Sequence, residues 1–321
     1  MNGNYTSEKS DILRLAERLA NSFSYRISSF ANRRRDRREY DLYLQSGKQP
    51  FAPGYHSYKW SFIQKALADS SLLDTFRQGH ELPANYGLQL DERVVEYPWL
   101  MARLPGESGT LLDAGSVLNF EQLIDLPLLK KKAVHIVTLA PEANCFWKRG
   151  VSYAFADLRD LPLRDNFYDQ IVCLSTLEHV GLNSEIYTRE RVERLQTSDY
   201  KLAAAELWRV LKPGGHLYLT VPFGKACDLD WLQQFDAAMV HDMIDALRPS
   251  ESSVVYYRYE ATGWNISTEE ACRNCEYTAP ARWGVGPFSK PENNQSLAPV
   301  EGPANGTPAA AGAVVCLDLL K

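Results

Sequence analysis

The residues best suited to chemistry fall in three stretches of the chain. The first, TLLDAGSVLNF over Thr110–Phe120, runs two aliphatics into Asp113 and then Gly115, as a buried strand does when it ends above a ligand. A residue without a Cβ lets backbone approach a bound group closely. Asp113 can accept from a ligand's ammonium group or fix the amides of its own loop. Val117 stands two residues beyond Gly115, where a second glycine would loosen the loop; a β-branched residue resists φ > 0 there.

The second stretch, FADLRDLPLRDNFYDQIVCLSTLEHVG, follows Phe155. Asp157 ends one aliphatic run, where a carboxylate can accept from the exocyclic amine of a nucleobase. Thr176-Leu177-Glu178-His179 lies beyond the next run. Imidazole titrates near neutrality, so His179 is the first candidate for a base that removes a proton from an alcohol as a bond forms. A structural hydrogen bond to backbone is its other reading. Glu178 can orient His179 or meet a ligand's amino group.

The third stretch, VPFGKACDLDWLQQFDAAMVHDM, supplies types that grip sugars. The amides of Gln233 and Gln234 suit hydroxyls, the Trp231 indole suits a ring face, and His241 and Tyr257 complete the candidate acceptor wall. Leu232, Phe235, Met239 and Met243 are at helical spacing and read as core. Asp228, Asp230 and His241 are weighed for Mg²⁺, which prefers oxygen ligands, but no metal is expected. Cys272 and Cys275 form a lone CxxC, without the second pair that tetrahedral zinc usually requires.

These side chains need a scaffold that brings strand ends together. Short aliphatic runs predict strands at Thr110–Ala114, Val134–Leu139, Val151–Phe155, Gln170–Leu174, His216–Val221, Ser253–Tyr259 and Ala313–Leu319. Helices are expected near Phe120–Leu129, Asp199–Leu211 and Leu229–Ala246, with Lys212-Pro213-Gly214-Gly215 a tight helix-to-strand turn. Alternating strands and helices imply a mostly parallel sheet covered on both faces, and the last two strands imply an antiparallel edge. The fold class is α/β: a doubly wound seven-stranded mostly parallel sheet with an N-terminal helical extension. In such sheets ligands sit beyond the carboxyl ends of the strands, where the strand order reverses.

Residues 1–100 read as a helical, aromatic-rich extension or cap, and residues 101–321 as the sheet domain. Ile12, Leu15, Leu19, Phe23, Ile27 and Phe30 predict a helix over Ser10–Phe30. The aromatics between Tyr40 and Trp99 suit a core or a carbohydrate-stacking surface. Gly284–Gly312, rich in Pro, Gly, Asn and Ala, reads as a long loop.

Among 321 residues, 45% are hydrophobic and 23% charged, and the net charge of −5 argues against nucleic acid as a partner. The basic run Arg33–Arg38 reads as a solvated helix face, with an anionic partner as its other reading. A polar start, no apolar run near the ~20 residues of a membrane span, and six cysteines in a chain this long suggest a cytoplasmic protein with reduced thiols.

In combination and in this order, LDAGSVLN, the Asp157-Leu158 pair, the Leu161-Pro162 turn, STLEHVG and LKPGG resemble the class I S-adenosylmethionine-dependent methyltransferases over about Leu104–Val221. The strings LDAGSVLN, TLAPE and STLEHVG further resemble an uncharacterised branch associated with sugar or polysaccharide modification. The resemblance implies the Rossmann-like methyltransferase fold and S-adenosyl-L-methionine as cofactor. Asp113 and Gly115, with Ser116 in the same loop, match the motif that holds the methionine part. Asp157 with the Leu158 amide matches the adenine position, and Ser175 and Thr176 match the loop lining the sulfonium side.

Two departures stand out: Val117, and a second strand, VHIVTLAPE, without the carboxylate that binds both ribose hydroxyls in the family. Glu142 substitutes if Ala140-Pro141 bends the chain back, and Asn119 can take over hydrogen bonding from the loop backbone. The implied function is methyl transfer to an oxygen of a sugar, glycan precursor or other small molecule, within polysaccharide biosynthesis, with His179 and Glu178 catalytic. The alternative is a catalytically silent methyltransferase-like binding subunit. Oligomeric state is open, a homodimer among the arrangements. A Rossmann-type dehydrogenase is disfavoured, since no G-x-G-x-x-G opens the first helix.

Overall fold

The structure, a computed structural model, describes residues 37–45, 47–188, 196–278 and 308–321. The helix expected over Ser10–Phe30, residues 33–36 of the arginine run and most of Gly284–Gly312 lie outside them. The chain divides into two compact units, Met1–Ser61 and Phe62–Lys321, with the boundary inside one helix. In the first unit, helix α1 (37–45) is followed by the opening turns of α2 (Tyr55–Ala68). Tyr43 is fully buried, donates its hydroxyl to the Lys48 carbonyl at 2.6 Å and meets the Tyr55 ring edge-on at 5.8 Å.

The second unit begins with two helices and then the sheet. Asp69 caps α3 (Ser70–Gln78) by accepting from the Leu72 amide at 3.1 Å, and Gly79 closes it in the left-handed region. Helix α4 (Arg93–Arg103) contains Pro98, which cannot donate to the carbonyl four residues back. The Tyr86 hydroxyl supplies that carbonyl, on Val94, with a donor at 2.7 Å. The helix therefore continues past its proline with every residue from Val94 to Ala102 buried.

Strands β1 (Gly109–Ala114), β2 (Lys132–Thr138), β3 (Ser152–Phe155), β4 (Tyr168–Leu174), β5 (Leu211–Pro222), β6 (Cys227–Asp228), β7 (Gln233–Gln234), β8 (Glu251–Glu260), β9 (Gly263–Ser267) and β10 (Ala313–Leu320) make two sheets. The main sheet has eight strands in the order β3-β2-β1-β4-β5-β10-β8-β9, and β6 and β7 form a separate ribbon. The first five strands are parallel, whereas β10 runs antiparallel to β5 and β8, and β8 and β9 form an antiparallel pair. All seven expected strands form; the eighth, β9, comes from GWNIS, whose Gly and Asn mask a strand of five residues. The antiparallel strand β10 lies inside the sheet rather than at its edge.

Local sequence explains where helices depart from expectation. The helix expected over Phe120–Leu129 is two single turns, α5 (Glu121–Ile124) and α6 (Pro127–Lys130), because Pro127 starts a new turn instead of continuing the old one. Helix α7 (Glu185–Thr188) is short, and α8 (Tyr200–Val210) buries Ala203, Ala204, Leu207 and Val210. Helix α9 (Ala237–Leu247) starts later than expected, since the β6–β7 ribbon precedes it and Asp236 caps the Met239 amide at 2.9 Å. The Lys212–Gly215 turn is absorbed into β5, with Gly214 at φ +79 and its amide donating to the Lys321 carbonyl. One continuous core joins Leu112, Ile171, Leu217 and Val315 of the sheet to Leu207 of α8 and Met243 of α9. Among the described residues, no helix is long and apolar enough to cross a membrane.

Candidate functional site

Strand order reverses between β1 and β4: the chain moves outward through β2 and β3, then resumes on the other side of β1. The loops beyond these two carboxyl ends meet there. Asp113 is fully buried, and its carboxylate accepts from the amides of Val117 at 3.0 Å and Leu118 at 2.8 Å. It takes the loop-fixing role. Burial pushes its carboxyl up to about 7, with the two amides pulling the other way. Gly115 lies at φ +108, and a Cβ on it would stand 2.3 Å from the Thr176 hydroxyl, so close approach of the β4 loop requires glycine here.

The left-handed residue after Gly115 is Ser116, at φ +65, while Val117 stays outside that region and is buried. The obstacle expected from Val117 is bypassed because the loop turns one residue earlier. The Val117 carbonyl accepts from the Tyr97 hydroxyl at 2.7 Å, which ties the loop to α4.

Beyond β2 the chain bends back. The exposed Glu142 carboxylate accepts from Ser116 Oγ at 2.9 Å, Asn119 Nδ2 at 3.0 Å and Thr138 Oγ1 at 3.3 Å. Asn119 is buried, also donates to the Asn144 carbonyl at 3.1 Å and accepts from the Tyr153 hydroxyl at 2.8 Å. Its amide thus positions Glu142. The Asp157 carboxylate accepts from Arg159 through Nη2 at 2.6 Å and Nε at 3.0 Å, and from the Arg159 amide at 2.9 Å. Burial raises its pKa, but the Arg159 contacts outweigh that and leave it lowered. Arg159 reaches on to Asp199 at 2.5 Å, and Leu158 packs into the core.

At the end of β4, Ser175 adopts φ +39 and donates its hydroxyl to Glu96, as does Thr220 of β5. Glu96 is fully buried and also accepts from Arg93 Nη1 at 2.9 Å, and Arg93 donates to the Leu174 carbonyl at 3.1 Å. Arg93, Glu96 and Tyr97, all on α4, escaped the sequence reading. Their signal was an Arg–Glu pair at i,i+3, with Glu96 the lone charge between Val94 and Ala102.

The His179 ring donates Nδ1–H to the Trp231 carbonyl at 2.8 Å and stacks on the Trp231 ring at 5.4 Å. A carbonyl only accepts, so Nδ1 carries the proton and Nε2 the lone pair. With its side chain 19% exposed, burial pulls the imidazole down to about 4. Glu178 is buried, its Oε1 stands 3.9 Å from His179 Nε2, and its Oε2 has no hydrogen-bond partner among the described residues. Burial holds the Glu178 carboxyl well above the usual range.

The structure separates the expected acceptor wall. Trp231 stacks on His179, while the other members have partners of their own. Gln233 and Gln234 are buried and donate to backbone, Gln233 to the Thr197 carbonyl at 2.8 Å and Gln234 to those of Lys225 and Cys275 at 2.8 and 2.9 Å. His241 is exposed on α9, 2.8 Å from Glu269, and Tyr257 is fully buried with its ring 5.6 Å from Phe76. Asp230 accepts from Asn183 at 3.0 Å. Among the described residues, no group of three or more His, Cys, Asp or Glu could hold a metal ion.

No curated protein sequence matches the chain. Similar solved structures include a methyltransferase of Thermotoga maritima described as a possible histamine N-methyltransferase, at 14% identity and a TM-score of 0.39 over 82% of this chain and 100% of that one. Another is the 1,6-didemethyltoxoflavin-N1-methyltransferase of Burkholderia thailandensis with S-adenosylhomocysteine bound, at 15% identity and 0.37 over 67% and 87%. A third is YcgJ of Bacillus subtilis, at 14% identity and 0.40 over 68% and 94%. Over residues 128–219, from α6 into β5, the sequence matches the family model described as a methyltransferase domain.

Proposed function

We propose that this chain transfers a methyl group from S-adenosyl-L-methionine to an oxygen of a small acceptor, with a sugar or glycan precursor the leading class and the cytoplasm the setting. The observation that carries the reading is the placement of Asp113 and Glu142 around one turn. Asp113 fixes the turn's amides from within the core, and Glu142 presents an exposed carboxylate bonded to its Ser116 and Asn119 side chains.

The residues present fit this cofactor. The exposed Glu142 carboxylate beyond β2 suits a ribose diol, and the buried Glu178 oxygen that lacks a partner among the described residues suits a donor such as an amino group. Bound there, S-adenosylmethionine supplies an electrophilic methyl group on a sulfonium. The chain's own contribution is alignment and proton removal. In-line displacement rewards a fixed acceptor, and the Trp231 indole beside His179 offers an apolar face for one. His179 Nε2, which carries the lone pair, takes the acceptor's proton. The Trp231 carbonyl then stabilises the imidazolium through Nδ1–H.

A silent binding subunit is the second reading, favoured by Asp157, whose carboxylate already has Arg159 as its partner. Calorimetry with S-adenosylhomocysteine separates the two. Micromolar-range binding with thermal stabilisation is expected; the absence of both would sink the enzymatic reading. An acceptor screen with labelled cofactor then tests the sugar class.

A further inference from the structure

The site leaves Cys272 and Cys275 unused. Cys272 closes the one-turn helix α10 (Glu269–Cys272), and the Cys275 amide donates to the Cys272 carbonyl at 2.9 Å. A bond of that i to i+3 kind marks a tight turn, which keeps the two Cα atoms within about 7 Å. Disulfides span Cα separations of about 4.4–6.8 Å, a range this turn can meet. Cys272 is buried, whereas Cys275 is partly exposed. The Cys272 thiol lowers the Cys275 thiol to about 7 against the effect of burial, with the Arg258 guanidinium helping, while Cys275 and burial raise Cys272. A reactive thiol beside a buried resolving partner is the arrangement of redox CxxC pairs.

The turn also bears on the catalytic loop. The Cys275 carbonyl accepts from the Lys225 amide at 2.9 Å and from Gln234 Nε2 at 2.9 Å, which brackets the β6–β7 ribbon. Gly224 approaches so closely that a Cβ on it would lie 2.1 Å from that same oxygen. Tyr277 meets the Trp231 ring edge-on at 6.4 Å. Trp231, between β6 and β7, holds His179 through its carbonyl.

We propose that Cys272 and Cys275 form a reversible disulfide site that reacts with low-molecular-weight disulfides such as oxidised glutathione, and that its state reaches His179 through the β6–β7 ribbon. The Cys275 thiolate attacks one sulfur of oxidised glutathione, forming a mixed disulfide and releasing one glutathione thiolate. The Cys272 thiol gives its proton to solvent, attacks the Cys275 sulfur and releases the second. Two protein thiols are oxidised and one small disulfide is reduced to two thiols. In a reducing compartment such a bond is transient, as a sensor requires.

The experiment incubates the full chain in glutathione buffers of graded reduced-to-oxidised ratio, alkylates free thiols and maps tryptic peptides by mass spectrometry. Trypsin cuts after Arg273, so the bond joins two peptides. Cys272 and Cys275 are expected to lose alkylation together and to appear cross-linked. A second arm incorporates 5-fluorotryptophan, with the Trp231 fluorine signal assigned through Trp231→Phe. That signal is expected to shift on oxidation, return with dithiothreitol and stay fixed in Cys275→Ser. A persistent glutathione adduct on Cys275 without a cross-link, or thiols that remain fully alkylated, would overturn the disulfide. A cross-link that leaves the Trp231 signal in place would overturn the transmission. Neither arm measures methyl transfer, so the outcome is independent of the proposed activity.

Discussion

Nδ1 of His179 lies 2.8 Å from the carbonyl of Trp231, a residue 52 positions further along the chain, and the two rings stack. One neighbour therefore sets the tautomer, the ring orientation and part of the burial of the imidazole. If Nε2 removes the acceptor's proton, His179→Ala lowers kcat by about a hundredfold or more. S-adenosylhomocysteine affinity by calorimetry stays at the wild-type value. Normal turnover in that variant would place the base elsewhere.

The depressed His179 pKa makes folding pH-dependent. The folded value is about 4 against 6.5 for the ordinary group, so between these the unfolded chain binds more protons. The stabilisation is complete above about pH 6.5 and fades as pH falls toward 4, by at most about 3 kcal/mol. Asp113 runs the other way, since its raised pKa favours the fold at low pH and costs stability as pH rises toward 7. Comparing His179→Gln with wild type isolates the histidine. Urea melts at about pH 7 and about pH 5 should show a smaller acid-side loss in the variant.

Glu142 is exposed, so Glu142→Gln should leave thermal stability within about 0.5 kcal/mol of wild type. Affinity for S-adenosylhomocysteine should fall about tenfold or more, in line with a lost charge-assisted hydrogen bond. An analogue without the ribose 2′-hydroxyl should bind both proteins almost alike. An undiminished affinity for the parent compound would remove Glu142 from the ribose site.

Substitution at Gly115 and at Val117 should each destabilise the loop, for different reasons. Gly115→Ala places a Cβ 2.3 Å from the Thr176 hydroxyl at φ +108, and should cost about 1–3 kcal/mol in denaturant melts and weaken cofactor binding. Val117→Gly places a second glycine two residues after Gly115 but removes a buried side chain from a backbone that never needed φ > 0. It should destabilise by about 1–3 kcal/mol and leave affinity no better.

The strand ends were legible because each is encoded locally. Aliphatic runs place Asp113, Asp157 and His179 at carboxyl ends, and the α/β alternation brings those of β1 and β4 together. Residues chosen by type alone scattered. An amide's chemistry says what Gln233 and Gln234 can bond, but not that backbone carbonyls already hold them. Glu96 was hidden for the opposite reason: its partners Ser175 and Thr220 lie 79 and 124 residues away, beyond any local pattern. Proline decided the breaks that periodicity missed, splitting Phe120–Leu129 at Pro127, while Tyr86 rescued α4 from Pro98.

Strand β10 comes after β8 and β9 in the chain, yet it is inserted between β5 and β8. While a ribosome is still making the protein, both of those neighbours must wait with bare ladder edges, the kind of surface that invites wrong pairing. The parallel half and the β8–β9 hairpin join only when this late segment slots in. A substitution that slows its arrival would act as a folding defect, even though it touches no residue that meets a ligand.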